Sequence, residues 1–80
     1  MNQALIDSIA VEEERGIAKW GETDKDSTIL LNAATEELGE VAHAINHKEG
    51  VMNIHQEIAE TMGILSRLYD MVIDEDWSSR

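Results

Sequence analysis

Two pairs of glutamates have a spacing that suits chemistry on a helix. Glu37 and Glu40 form the first pair, and Glu57 and Glu60 form the second. Residues three apart lie on the same flank of an α-helix, so each pair would present two carboxylates side by side. Such groups bind hard divalent cations or transfer protons. An apolar residue directly follows the first glutamate of each pair, so the two motifs are alike.

The first glutamate of each pair falls among apolar residues when successive residues are turned by about 100° on a helical wheel. Glu37 lies between Leu30 and Ala44, and Glu57 has the equivalent place in the following helix. Both pairs are about ten residues from a turn near residue 48, which is roughly 15 Å along two antiparallel helices. The sequence therefore predicts that the two pairs face each other at one level.

Four carboxylates at one level need a compensating charge. Two unit charges about 6 Å apart repel by about 3 kcal/mol at an effective dielectric constant of about 20, and partial burial adds a desolvation penalty. No cluster of lysine or arginine occurs at that level of the sequence. Ligation by oxygen alone favours Mg²⁺, with Mn²⁺ as the second choice. Because Mg²⁺ commonly binds together with phosphates, the pattern indicates metal-assisted chemistry on a di- or triphosphate.

The same acids have a simpler interpretation as a solvated flank of two helices. The chain contains eleven glutamates among 80 residues, so roughly one or two pairs of this spacing are expected by accident. The chain would then be a non-catalytic helical oligomerisation or adaptor module. The matching angle, level and neighbours of the two pairs favour the metal site.

The spacing of the apolar residues predicts three helices, over residues 2–20, 28–48 and 53–73. Residues 21–26 are expected to form a polar loop, Gly50 is expected to end the second helix, and Asn53 is a candidate cap for the third. Since only a few residues join the last two helices, they must form an antiparallel hairpin. Residues 74–80 are expected to fray, because acidic side chains at a helix C-terminus oppose the macrodipole.

Length and composition limit the class of protein. The 80 residues make a single domain, 1–80, whose core is marginal for one chain. A formal charge of −11 and a pI of about 4.4 disfavour nucleic acid and anionic membrane surfaces as partners. Cysteine is absent, which excludes disulfides and thiolate metal sites. No leader sequence or spanning apolar run is evident, so we expect a cytoplasmic protein.

The apolar arcs of the second and third helices are wide, covering roughly half of each circumference. One hairpin and one shorter helix cannot cover that surface, whereas two or more protomers can pool their helices into a bundle. We therefore expect an all-α fold, with an N-terminal helix and a long antiparallel helical hairpin, completed as a homodimer or homotetramer.

The run Glu36-Glu37-Leu38-Gly39-Glu40-Val41, followed after a spacer of 16 residues by Glu57-Ile58-Ala59-Glu60, resembles the MazG-type all-α nucleoside triphosphate pyrophosphohydrolases. Residues 14–21 also resemble the first-helix segment of that family, and the likeness covers roughly residues 12–70. The resemblance implies Mg²⁺-dependent hydrolysis of an NTP or dNTP to the monophosphate and pyrophosphate. It also implies an obligatory dimer or tetramer and a role in clearing non-standard nucleotides.

The resemblance assigns roles to the acids of the two motifs. It implies that Glu37, Glu40, Glu57 and Glu60 are the Mg²⁺ ligands, and that Glu36 orients or deprotonates the attacking water. The last position is more often Asp in the family, so Glu60 is longer by one methylene group. Many relatives also continue into a further helix with basic and polar substrate contacts.

Three residues near the end of the first helix are candidates for substrate binding. Arg15 and Lys19 lie four apart on its polar side and could reach a triphosphate, although salt bridges with the abundant acids are an equal alternative. Trp20 offers a flat face to a nucleobase, and capping of the core is the alternative role. Arg67 is expected to form a surface ion pair.

Two further features have structural explanations. Gly39 and Gly63 lower helix propensity by about 1 kcal/mol each, a cost that is acceptable where two backbones approach closely. Three histidines near the hairpin turn could hold Zn²⁺ or Ni²⁺, although solvated histidines on a polar flank are the favoured interpretation: His43, His47 and His55.

Overall fold

The computed structural model describes residues 1–20 and 27–74, with the side chains at positions 19, 20, 73 and 74 left out. It contains three helices, α1 (Gln3–Trp20), α2 (Ser27–Asn46) and α3 (Val51–Asp74). No strand occurs in the described part of the chain, which confirms the all-α class. Among these residues, no helix combines the length and the apolar character needed to cross a membrane. The predicted loop at 21–26 lies outside the description, as does the predicted tail beyond Asp74.

The start of α1 is fixed by a side-chain cap. The backbone amide of Leu5 donates to Oδ1 of Asn2 at 3.2 Å, which satisfies one of the amides that the first turn of a helix leaves without a partner. The helix therefore begins at Gln3, one residue after the predicted start.

The connection between α2 and α3 differs in detail from the prediction. The amide of Lys48 donates to the carbonyl of Ile45 at 3.2 Å, and that of Glu49 donates to the carbonyl of Ala44 at 3.0 Å. This pair of bonds is a Schellman motif, and Lys48 takes its left-handed position with a φ of 52°. Residue 48 therefore ends the helix where Gly50 was expected to do so.

Gly50 instead precedes the first residue of α3. Its carbonyl accepts the first helical bond, from the amide of Ile54 at 3.1 Å, and its φ of 101° is one that residues with a Cβ rarely adopt. The prediction of Asn53 as a cap is wrong, because α3 begins two residues earlier at Val51 and Asn53 lies within its first turn. The side chain of Asn53 donates to the carboxylate of Glu49.

α3 contacts both of the other helices, while the backbones of α1 and α2 do not approach each other in the described residues. α1 runs parallel to α3, because Glu12 lies against Gly63 and, further along both helices, Gly16 lies against Arg67. α2 returns antiparallel through the short connection. α3 therefore places side chains against α1 on one flank and against α2 on the other.

The buried apolar core of the described residues is small. Its members are one leucine and three alanines: Leu30, Ala34, Ala44 and Ala59. Several large apolar side chains on α2 are more than half exposed: Leu31 at 53%, Leu38 at 60% and Ile45 at 54%. The hairpin thus leaves much of its apolar surface uncovered.

Of the glycines in α2 and α3, only Gly63 marks a close approach between backbones. A Cβ added at Gly63 would lie 2.9 Å from Cβ of Glu12 and 3.5 Å from the α1 backbone. The expectation of close approach is therefore confirmed for Gly63. At Gly39 it is wrong, because an added Cβ would meet nothing within 4 Å.

Candidate metal centre

Three of the predicted acids converge between α2 and α3. Glu37 comes from the middle of α2, while Glu57 and Glu60 are one turn apart on α3. One carboxylate oxygen from each lies within 4.8 Å of the others, and all three residues are half-buried. Among the described residues, no other group of three or more acidic or histidine side chains converges in this way.

Two oxygens of this trio lack a partner. Oε2 of Glu37 and Oε2 of Glu57 are buried and accept no hydrogen bond. A buried acceptor without a partner costs about 1–3 kcal/mol, and more when it is charged. Two negative charges within 4.8 Å add about 3 kcal/mol of repulsion at an effective dielectric constant of about 20. The carboxylates are therefore arranged at a cost that a bound cation would remove.

The protonation of the trio reflects the same crowding. Burial raises the pKa of Glu37 to about 7, and the raised value also depends on a hydrogen bond with Glu60 and on the charges of Glu60, Glu57 and Glu40. Burial also raises the pKa of Glu57, and the charges of Glu60 and Glu40 act in the same direction. Near neutral pH the fold thus favours a proton, or another cation, among these oxygens.

The donor set fits a hard divalent ion. Oxygens that bind one Mg²⁺ at about 2.1 Å lie at most about 4.2 Å apart, and oxygens that bind one Ca²⁺ reach about 5.2 Å. The three oxygens, all within 4.8 Å of one another, need only small side-chain rotations to close on Mg²⁺. Neither a thiolate nor an imidazole belongs to the trio, so softer metals are disfavoured.

A second layer of polar contacts holds Glu60. Nε2 of Gln56 donates to Oε1 of Glu60 at 3.1 Å and to Oε1 of Glu12 at 2.8 Å. The same oxygen of Glu12 accepts from Arg15 at 3.0 Å. Gln56 therefore links the acidic trio to α1.

Gln56 and Glu12 were not selected from the sequence. Gln56 directly precedes Glu57, and Glu12 lies on the same flank of α1 as Leu5 and Gly16. A helical wheel could have found Glu12, but the hydrogen bond that joins Gln56 of α3 to Glu12 of α1 could not be read from spacing within either helix.

A cavity of about 500 Å³ opens beside the trio and is bounded by all three helices. Its walls combine acidic, basic and apolar groups: Glu12, Arg15, Gly16, Ala18, Glu37, Glu60, Ile64 and Arg67. Arg67 lines this cavity and is half-buried, and its predicted surface ion pair stays a prediction. A ligand in this space would touch acids of the trio and two arginines.

The other predicted acids lie at the edge of the site. Glu40 is exposed and its carboxylate is not part of the trio, although its charge contributes to the raised pKa of Glu37. Glu36 is exposed as well, on α2 directly before Glu37. The structure thus brings together three of the four predicted ligands.

The predicted substrate-binding residues are only partly described. The side chain of Arg15 is 64% exposed and pairs with Glu12, whose own side chain is only 11% exposed. Lys19 and Trp20 belong to the last turn of α1, and their side chains lie outside the described residues.

The three-histidine site does not form among the described residues. The rings of His43 and His47 have centroids 4.1 Å apart, and Nε2 of His43 lies 3.4 Å from a carboxylate oxygen of Glu49. His55 does not join them in a metal-binding group.

Comparison with models of protein families, with curated proteins and with solved structures found no match for this chain. The likeness to the MazG-type enzymes therefore remains a resemblance of motifs.

Proposed function

We propose that this protein is a Mg²⁺-dependent nucleoside triphosphate pyrophosphohydrolase that cleaves an NTP or dNTP to the monophosphate and pyrophosphate. The observation that carries the proposal is the convergence of Glu37, Glu57 and Glu60, with oxygens within 4.8 Å of one another and two of them buried without a partner. We also propose a cytoplasmic role in clearing non-standard nucleotides, as the resemblance to the MazG-type enzymes implies.

The acids of the proposed site divide into metal ligands and one residue that acts on the attacking water. Glu37, Glu57 and Glu60 would hold the ion, and the exposed Glu40, one turn further along α2, would be the fourth ligand. Glu36 orients or deprotonates the attacking water from the solvent side of α2. Bound Mg²⁺, or Mn²⁺ in its place, would neutralise the phosphate oxygens and lower the pKa of a bound water. The remaining catalytic contribution is the fixed placement of these carboxylates.

The first test is metal binding. We expect Mg²⁺ and Mn²⁺ to raise the melting temperature, and Glu37→Gln to abolish most of that rise because it removes one ligand charge. Glu14→Gln is the matched control, since Glu14 is an exposed acid of α1 outside the trio. Thermal melts with EDTA and with each metal provide the measurement.

The second test is release of pyrophosphate from a panel of ribo- and deoxyribonucleoside triphosphates. We expect Mg²⁺-dependent turnover of at least one nucleotide, lost in Glu37→Gln and kept in Glu14→Gln. Glu36→Gln should lower kcat by about 10²–10⁴ while metal binding persists, as expected for a general base. A protein that binds no metal and releases no pyrophosphate from any nucleotide would refute the proposal.

We also propose that the protein acts as a homodimer or homotetramer. The support is the small buried core together with the exposed apolar side chains of α2, which one chain of 80 residues leaves uncovered. The same exposed apolar side chains favour the alternative function, a non-catalytic helical oligomerisation or adaptor module. Metal dependence separates these functions, because an adaptor with solvated acids would neither bind Mg²⁺ tightly nor turn over nucleotides.

A further inference from the structure

The cavity beside the trio is lined by a negative charge and, further along α3, by a positive charge. Glu60 lies at the acidic level, and Arg67 follows seven residues later, about 10 Å further along the helix axis. Arg15 lines the same cavity from α1. A ligand that fills this space therefore meets carboxylates at one level and guanidinium groups at another.

Gly16 allows the guanidinium of Arg67 to lie against α1. A Cβ added at Gly16 would be 2.5 Å from Nη1 of Arg67 and 3.4 Å from its Cζ. Any other residue at position 16 would therefore push the guanidinium away from this wall. The absence of a side chain on one helix thus sets the place of the charged group on the other.

A guanidinium beside a carboxylate site suits a ligand that carries its own negative charge. Arginine presents a planar fork of donors that matches two phosphate oxygens. A free cation would be repelled at the guanidinium level. A chain of linked phosphates fits both levels, because some oxygens meet the ion at the trio and others meet arginine.

We propose that Arg67, positioned by Gly16, is a phosphate-binding residue that contacts the polyphosphate oxygens directed away from the carboxylate trio, with Arg15 lining the same cavity from α1. The identity of the ligand as a nucleoside triphosphate rests on the proposed function. The anion site itself is tested separately, with inorganic tripolyphosphate as the probe.

The binding experiment measures tripolyphosphate affinity by calorimetry, with and without saturating Mg²⁺. We expect Arg67→Gln to weaken binding about 10- to 100-fold, the range for loss of hydrogen bonds to a charged group. Arg67→Lys should recover part of that loss, because it keeps the charge without the fork. Wild-type protein that binds no tripolyphosphate under either condition would overturn the proposal.

A second pair of variants tests the position of the guanidinium without removing its charge. Gly16→Ala should weaken tripolyphosphate binding severalfold, whereas Gly39→Ala should leave it unchanged, because an added Cβ at Gly39 meets nothing within 4 Å. Equal affinities for Gly16→Ala and wild type would contradict the positioning by Gly16.

Metal binding and kinetics separate a phosphate contact from a structural role. Mn²⁺ affinity is measured by electron paramagnetic resonance without tripolyphosphate. If Arg67 contacts only the phosphates, Arg67→Gln should change this affinity by less than about threefold. A loss of Mn²⁺ binding as large as the loss of tripolyphosphate binding would instead show that Arg67 shapes the trio. If the protein hydrolyses a nucleotide and Arg67→Gln leaves both its KM and tripolyphosphate affinity unchanged, this inference fails while the proposed function stands. If no nucleotide is hydrolysed but tripolyphosphate binding depends on Arg67, the anion site stands and the proposed function fails.

Discussion

Glu37 is the residue at which the metal-free fold most clearly opposes a negative charge. Its pKa is raised from the ordinary 4.5 to about 7 by burial, by the hydrogen bond with Glu60 and by three neighbouring acids. Between these two pH values the folded protein holds a proton that the unfolded chain has released. The free energy of unfolding must therefore fall as pH rises through this window.

The expected result in EDTA is a melting temperature that falls by about 5–10 °C between pH 4.5 and 7.5. Glu37→Gln should flatten most of this decline and be more stable than wild type above pH 7, since the amide carries no charge. Circular dichroism melts across the pH range provide the measurement. An equally steep decline in Glu37→Gln, with Glu14→Gln behaving as wild type, would show that Glu37 is not the group responsible.

Gln56 is the residue that orients Glu60 without belonging to the trio. Its Nε2 donates to Glu60 at 3.1 Å and to Glu12 at 2.8 Å. Loss of such a partner behind a metal ligand typically weakens metal binding by about 10- to 100-fold. We therefore expect Gln56→Met to weaken Mn²⁺ binding by about tenfold or more.

The control for Gln56→Met is Gln3→Met, because Gln3 is an exposed residue of α1 whose side chain donates to the nearby Asp7. Mn²⁺ titrations of both variants decide the matter. Unchanged affinity in Gln56→Met would mean that Glu60 adopts its place through backbone position alone.

At the scale of elements, the parallel packing of α1 against α3 depends on a missing side chain. A Cβ at Gly63 would lie 2.9 Å from Cβ of Glu12, which is not a flexible chain end, whereas a Cβ at Gly39 would enter open space. Gly63→Ala should therefore destabilise the fold by about 1–3 kcal/mol through overpacking. Gly39→Ala should stabilise it by about 0.5–1 kcal/mol, since alanine is the better helix former. Urea denaturation of the two variants measures the difference, and a stabilising Gly63→Ala would mean that α1 is not held at this distance.

The helices and the level of the acids could be predicted because both follow from the period of an α-helix. The apolar spacing predicts three helices, and equal distances from one turn predict that Glu37 and Glu57 meet. The helix ends were harder to predict. Lys48 takes the left-handed position that ends α2, and lysine is not a residue type that predicts this conformation. The contact of Gln56 with Glu12 and the entry of Arg67 into the cavity depend on the placement of α1 across α3, for which spacing along one helix gives no information.

For the whole molecule, the main question is what covers the apolar side of α2. Leu31, Leu38 and Ile45 recur every seven residues, which forms one stripe, and each is more than half exposed. Exposed apolar side chains that recur every seven residues along a helix form the pattern by which two helices pack together. A second copy of this chain is therefore the expected partner for the stripe.

This interface would leave the two acids at the edge of the candidate metal centre, Glu36 and Glu40, uncovered. On α2, Glu36 and Glu40 lie two residues from Leu38, which places them about 160° around the helix from the stripe. Two copies could therefore join along the stripe while these acids remain exposed to solvent. The partner would add apolar contacts and no charge to the stripe.

We expect the wild-type protein to sediment at twice its monomer mass of 9.0 kDa or at a higher multiple. Leu38→Glu should dissociate it and lower its melting temperature, because a charge at the centre of a buried stripe is costly to desolvate. The matched control is Val11→Glu, since Val11 is 53% exposed on α1 and lies outside the stripe. Sedimentation equilibrium over a range of protein concentrations measures both. A wild-type protein that remains a stable monomer, or a Leu38→Glu variant that associates as the wild type does, would refute this interface, because the apolar stripe would then need no second copy to cover it.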